Sequence, residues 1–415
     1  MKNKLFGLLA LLVIASLVLA ACGPTGATEE PTGEEPAATE PAGEEPAATE
    51  EPAAAEPVTI TLWHSLKDSE TAGLTEIINA FTAANPHVTF DVLFVPFDDL
   101  RNKFETAAAT GEGPDLLIGA DDWGPALFDA LLVADVSDVP TENVNAAALG
   151  VGQYNGAQVE LPYVLKGVVL YRNTAIQPEA ATSFGDLKAK AEAATTGDTY
   201  GALLEIGSFF SFAHLYGQGG ALMNADGTPA FNTEAGAAWL AMLADFKALG
   251  ADSWYSDNDI NLFKEGKVGW VIDGTWNLAS FSEALGENLA IDAWPTGMSG
   301  FVQTGAIMLS ANSDEATATA AKSFLAYLLG AEAQAAFYAS DDAFIPSNTT
   351  VAVDDPLRAQ ALTAFGGGTA WIVTPKMGAY WGPTETLIKT VIDEGTDVTE
   401  ALNTAEQGVN DALNQ

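Results

Sequence analysis

The chain has 415 residues, of which 56 are Asp or Glu and 16 are Lys or Arg, giving a formal net charge of −40 with the histidines neutral. A surface this acidic repels phosphate backbones and anionic headgroups, whose binding needs clustered basic side chains, so nucleic acid is excluded as a partner. A hydrophobic fraction of 48% leaves enough apolar mass for about two or three packed domains, and the single cysteine, Cys22, rules out an intramolecular disulfide or a cysteine metal cluster.

Lys2 and Lys4 precede an apolar run over 5–21 that ends in Leu19, Ala20, Ala21 and Cys22. A basic start, an apolar centre and small residues at the end describe an export signal over 1–21, and the last four residues resemble the bacterial lipobox, in which the cysteine carries the lipid. An ordinary signal peptide or an uncleaved anchor fits the same run. Residues 23–57 hold 10 Glu, 7 Pro, no aromatic residue and no positive charge, and Gly-Glu-Glu-Pro-Ala-Ala-Thr-Glu occurs at 33–40 and again at 43–50. Such a segment cannot bury a core, so 22–57 is expected to be a lipidated cysteine followed by an extended, disordered tether.

From Val58 onward strand and helix patterns alternate. Residues 59–63 are β-branched and short, 70–84 carry Leu74, Ile77, Ile78 and Phe81 at helical spacing, 88–95 read as a strand, and 100–109 as a helix. Residues 115–119 form an apolar run bounded by Gly-Pro and Asp-Asp-Trp, the pattern of a buried parallel strand. The same order restarts with a strand at 168–171, a helix over 184–194, and apolar segments near Leu203 and Val268. Alternation of this kind predicts an α/β fold of two lobes, each a mostly parallel sheet covered on both faces. Ligands of such sheets bind at the carboxyl ends of the strands, which makes His64, Pro96 and residues 119–123 a candidate rim.

The sequence carries no nucleophile elbow, phosphate-binding loop or zinc-binding helix motif. His64, His87 and His214 are scattered and read as loop or packing residues. Residues 217–220 lack the third glycine of a dinucleotide fingerprint and read as a tight turn, and Asn224, Asp226 and Gly227 as a hairpin turn. With 56 acidic residues, carboxylate pairs arise by chance, so none identifies a glycosidase. No metal or cofactor is expected, and the chain is not expected to be an enzyme.

Three tryptophans differ from Trp63 and Trp270, which sit in apolar runs. Trp123 follows Asp121 and Asp122, Trp276 follows Asp273, Gly274 and Thr275, and Trp381 lies between Tyr380 and Gly382. An indole flanked by polar or glycine residues either plugs a gap between elements or offers its face to the C–H face of a sugar ring, with nearby carboxylates accepting from hydroxyls.

The run from Thr110 through Gly111, Gly113, Pro114 and Asp115 to Leu117 resembles a segment of the solute-binding proteins of ABC sugar importers, the maltose/maltodextrin-binding family above all. So do residues 261–267 leading to Ile272–Trp276, residues 322–328, Ile345 to Asn348, and Met377 to Pro383. These matches keep the family's order from about 58 to 415. The resemblance implies a periplasmic-binding-protein fold with a multi-crossing hinge, one lobe containing 58–165 plus 307–347 and the other 168–302 plus 350–415. It implies capture of an oligosaccharide, most simply an α-glucan, for delivery to the membrane subunits of an ABC importer, by a monomer held outside the bacterial cell membrane through the lipid on Cys22. Lys67, Asp68, Asp121, Asp122 and Trp123 would face the ligand from the first lobe. Phe209, Trp276, Tyr380 and Trp381 would face it from the second, with Trp276 and Trp381 as stacking platforms. Lys166 and Gly207 stand where the family's pattern has glutamates. Lys166 would then serve another hydroxyl pattern, an acidic or phosphorylated group, or a hinge ion pair. An exported glycoside hydrolase or lyase, a sensory or adhesive lipoprotein, and a binding protein for another sugar, a glycerol phosphodiester or a polyamine are the other readings.

Overall fold

The computed structural model describes residues 56–250 and 258–414. Cys22, the leader and all but the last two residues of the tether lie outside the described residues.

The first third follows the periodicity closely. Strand β1 (Val58–His64), helix α1 (Asp68–Ala84), β2 (Val88–Phe94), α2 (Phe97–Ala108), β3 (Leu116–Ala120) and α3 (Gly124–Asp129) alternate. Helix α1 forms because Leu74, Ile77, Ile78 and Phe81 make one buried stripe. It starts where the Glu70 carboxylate accepts the Lys67 backbone N–H at 3.0 Å, satisfying a donor the helix cannot. A short helix α4 (Ala146–Val151) and the hairpin β4 (Gln153–Tyr154) and β5 (Ala157–Gln158) lead into β6 (Leu161–Asn173), a 13-residue strand.

The second part comprises α5 (Phe184–Ala194), α6 (Ser208–Gly217), α7 (Glu234–Leu249), α8 (Asn258–Lys264), β7 (Trp270–Gly274), α9 (Leu278–Leu285), β8 (Leu289–Asp292) and β9 (Phe301–Leu309). Helices α10 (Glu315–Leu329) and α11 (Ala331–Ser340), strand β10 (Ile345–Pro346), helix α12 (Pro356–Gly366), strand β11 (Thr369–Ala370), and helices α13 (Trp381–Ile392) and α14 (Val398–Leu413) complete the fold.

The sheet is mixed, not mostly parallel. Strand β1 pairs in parallel with β2 and β3, but β9 enters antiparallel between β3 and β6. Strand β6 pairs with β9 over its first half, 161–167, and with β7 and β8 over 168–173, so one strand carries the ladder from one half of the molecule to the other. The expected parallel arrangement in the second half is reduced to the two-residue pairing of β11 with β9 and to isolated bridges, such as Tyr200 with Val268 and Leu203 with Val271.

Both faces of each half are covered. Ile60, Leu62, Phe81, Phe324 and Phe337 form one core, while Leu100, Phe104, Leu127 and Met308 form another under α2 and α3. In the second half Trp239, Phe246, Trp270 and Ile388 pack on one side, and Tyr171, Phe263 and Phe281 on the other. Ala343 and Ile345, expected in the first lobe, join this last cluster.

Candidate ligand-binding cleft

The carboxyl ends of β1, β2 and β3 bring residues 65–70, then Phe94, Pro96 and Phe97, and residues 119–123 to one wall of a cleft of about 1600 Å³. The opposite wall carries Phe209 at the start of α6, Trp276 in the turn after β7, Trp371, and Trp381 at the start of α13. Tyr163 and Lys166 of β6 and residues 303–305 of β9 form the floor between them. Of the expected site residues, Lys67, Asp68, Asp121, Asp122, Trp123, Lys166, Phe209, Trp276 and Trp381 all line this cleft. Of the candidate rim, Pro96 and residues 119–123 line it and His64 does not, being buried with its Nδ1 accepting the Leu66 N–H at 3.1 Å.

Tyr380 does not join them. It is fully buried, and its hydroxyl donates to the Gly227 carbonyl at 2.9 Å. The reason is helical geometry: neighbouring residues at a helix start point about 100° apart, so once Trp381 faces the cleft, Tyr380 turns into the core. Trp371, which the sequence analysis does not single out and which is flanked by Ala370, Ile372 and Val373, is packed into the core and also lines the cleft.

On the first wall Trp123 is largely covered, at 6% exposure. It lies against Gly119, where an added Cβ would stand 2.5 Å from the indole, and Phe97 covers it with ring centroids 5.4 Å apart. Beneath it Asp121 accepts the Thr304 N–H at 2.8 Å. Burial pushes the Asp121 carboxyl up to about 7, the Thr304 hydrogen bond opposes this, and the neighbouring Asp122 adds to it. Burial also raises Asp122, against the charge of Arg101, and raises Glu160, which both aspartates push further.

On the second wall four aromatic rings meet. Phe209 lies 6.2 Å from Trp276 and 5.3 Å from Trp371, and Trp371 stacks on Trp381 at 5.9 Å. Gly207 leaves α6 without a side-chain cap, and Glu385 of α13 supplies the acceptor, taking the Ser208 N–H at 2.8 Å. A cleft-lining carboxylate therefore reaches the start of α6 from another helix. Behind Trp276, burial pushes Asp273 up to about 7, opposed by the Asn277 amide, and Glu205 up to about 8, opposed by the Gly207 and Ile206 N–H groups.

Lys166 forms an ion pair with Glu70, both mostly buried. The pair joins α1 to β6 at the floor of the cleft, so the Lys166 charge is already matched by a carboxylate. The lining as a whole holds eight carboxylates and three basic groups, so the cleft favours neutral polyhydroxylated or cationic solutes over anions. No cluster of His, Cys, Asp and Glu able to hold a metal is present among the described residues.

A family model described as bacterial extracellular solute-binding protein matches residues 76–364. The maltotriose-binding protein of Pyrococcus abyssi (strain GE5 / Orsay) is 24% identical over 239 residues, 54% of this chain and 51% of that protein. The chain thus spans about half the length of this curated relative. Among solved structures, the maltotriose binding protein of Thermus thermophilus bound with maltotriose has the same fold, with a TM-score of 0.76, 22% identity, and coverage of 85% of this chain and 100% of that one. An ABC transporter solute-binding protein of Thermotoga lettingae bound with α-D-tagatose also gives a TM-score of 0.76, at 18% identity, covering 86% of this chain and 99% of that one.

Proposed function

The chain belongs to the bacterial extracellular solute-binding proteins, and from that premise we propose that it captures an oligosaccharide of the maltodextrin type between two lobes and hands it to an ABC importer. The observation that carries this reading is the wall built from Phe209, Trp276, Trp371 and Trp381, facing carboxylates across an open cleft. Indole faces hold the C–H faces of pyranose rings, and carboxylates accept from the hydroxyls at their edges. The maltotriose ligands named for the Pyrococcus and Thermus proteins favour an α-glucan, while the tagatose of the Thermotoga protein marks how widely one fold ranges among sugars.

In this reading 58–165 with 307–347 form one lobe, apart from Ala343 and Ile345, which pack with the other, and 168–302 with 350–415 form the second, with β6 and β9 flexing between them. A ligand that touches both walls stabilises the closed form more than the open one and so shifts the population toward it. The protein works as a monomer and does no bond chemistry. It is held at the cell surface by lipid on Cys22, with the tether giving reach; among the described residues no helix is long and apolar enough to cross a membrane.

Isothermal titration of the purified chain with maltose, maltotriose, maltopentaose, tagatose and spermidine tests the ligand class. Binding of the malto-oligosaccharides with small-angle scattering that shows compaction supports the reading. Binding of spermidine alone, or the release of new reducing ends from maltodextrin, defeats it. Loss of labelled palmitate from the Cys22→Ala chain in cells checks the anchor.

A further inference from the structure

Among the described residues, the large hydrophobic side chains most open to solvent are Val92, Leu93, Phe94, Phe97 and Leu131. Single exposed hydrophobics are ordinary, but Phe94 and Phe97, 58% and 54% exposed, both line the cleft. Phe97 lies only 31° from parallel with Trp123. One face of its ring is therefore backed by an indole, and the other is turned toward open space. Its support is rigid: Pro96 precedes it, and α2 is anchored in the core by Leu100 and Phe104. Phe94, at the end of β2, rests edge-on against His64 at 5.9 Å. Asp98 and Arg101 line the cleft beside them, placing an acceptor and a donor next to the apolar faces.

We infer that Phe97, with Phe94 beside it and Trp123 behind it, is a stacking platform on the first wall that receives the outer rings of a linear oligosaccharide too long for the tryptophan wall alone. Trp123 is then a backing residue, since the ligand meets the phenyl ring before the covered indole. The inference rests on the sugar-binding reading above and sets its length preference. The volume of about 1600 Å³ fits an extended chain, because sites for one drug-sized ligand take roughly 300–1,000 Å³. The continuity of the two rings with the cleft favours a ligand that enters it over a protein partner docked on the outside. The mixture of apolar faces and adjacent polar groups matches a pyranose chain, which presents C–H faces and hydroxyl edges in alternation.

The test is calorimetric titration of the wild-type chain and of Phe94→Ala/Phe97→Ala with maltose, maltotriose, maltopentaose and maltoheptaose, with thermal melts to verify folding. The wild type is expected to bind the heptaose more tightly than the triose, and the double variant to lower that affinity ratio about tenfold. Phe97→Trp, which offers a wider face on the same backbone, is expected to keep or raise the ratio. A wild-type protein that binds malto-oligosaccharides with no gain from triose to heptaose, or a double variant with an unchanged ratio, overturns the platform and leaves the ligand class standing. A wild-type protein that binds none of the four overturns both.

Discussion

Trp371 and Trp381 stack with their ring centroids 5.9 Å apart and their planes 25° from parallel, and Phe212 stacks on Trp381 at 5.7 Å and 26°. Both neighbours of Trp381 thus lie nearly parallel to it, which fixes the plane it presents. Trp371 also meets Phe301 edge-on at 4.5 Å, tying the stack to β9. The two tryptophans should therefore fail differently. Trp381→Ala is expected to weaken binding of a malto-oligosaccharide at least tenfold with a modest loss of stability. Trp371→Ala, which empties a core position, is expected to cost about 3–5 kcal/mol of stability as well as affinity. Melting curves and calorimetry on both variants check this, and an unchanged affinity in Trp381→Ala removes the indole from the site.

Gly274 sits at the end of β7 with φ of −81°, a backbone open to any residue. The requirement for glycine is space, since a Cβ there would overlap the Trp276 indole, which folds back over it. Gly274→Ala is expected to push the indole off its seat and to lower affinity about as much as Trp276→Ala, on the order of tenfold. Quenching of tryptophan fluorescence by acrylamide should rise in Gly274→Ala. Normal quenching with normal affinity would mean that the seat does not matter.

Glu70 and Lys166 lie 96 residues apart and pair in a mostly buried position between α1 and β6. Removing one partner strands the other charge, so Lys166→Met is expected to destabilise by about 3–5 kcal/mol. Glu70 also caps α1 through the Lys67 N–H, and Gln keeps that acceptor without the charge. Glu70→Gln combined with Lys166→Met should therefore recover much of the loss. Denaturant unfolding of the two singles and the double measures the coupling, and strictly additive losses would exclude an interaction between them.

How much of this was legible in the sequence depends on distance along the chain. The elements from 58 to 120 read correctly because their local apolar patterns mark them, as in the buried stripe of Leu74, Ile77, Ile78 and Phe81 on α1 and the continuous buried run of β3, although β2 buries little beyond Val88. Strand β6 read only as 168–171, because Pro162, Lys166 and Gly167 interrupt its apolar pattern and their reasons are tertiary: Lys166 needs Glu70, and a side chain at Gly167 would meet Phe365 and the Phe301 carbonyl. Trp371 was missed and Tyr380 misplaced for a shared reason. Local flanks do not say which side of a helix start or loop faces the other half of the molecule. The covering of Trp123 by Phe97, 26 positions earlier, left no local mark at all.

Stability should fall as pH rises through neutrality, and the sign follows from the buried acids. Asp121 and Asp273 are raised from 3.8 to about 7 and Glu205 from 4.5 to about 8, each chiefly by burial. The folded chain holds these protons where the unfolded chain has released them. Their contribution is whole below about pH 4 and is lost as pH climbs to 7 or 8, by at most about 1.4 kcal/mol per unit for each group. His214 works the other way: burial lowers it from 6.5 to about 3, against the Ser299 hydrogen bond, so its contribution is present above 6.5 and lost as pH falls toward 3. From pH 6.5 to 8 the acids act without that opposition, and from 4.5 to 6.5 three acids outweigh it. Thermal melts are thus expected to give a higher midpoint at pH 5.5 than at pH 8. Asp121 is packed against Thr304 and Gln303 of β9 and faces Asp122 and Glu160, so Asp121→Asn keeps an acceptor for Thr304 while removing the titration. That variant should flatten the slope between pH 5.5 and 7.5, and a slope identical to wild type would show that Asp121 does not hold its proton in the folded chain.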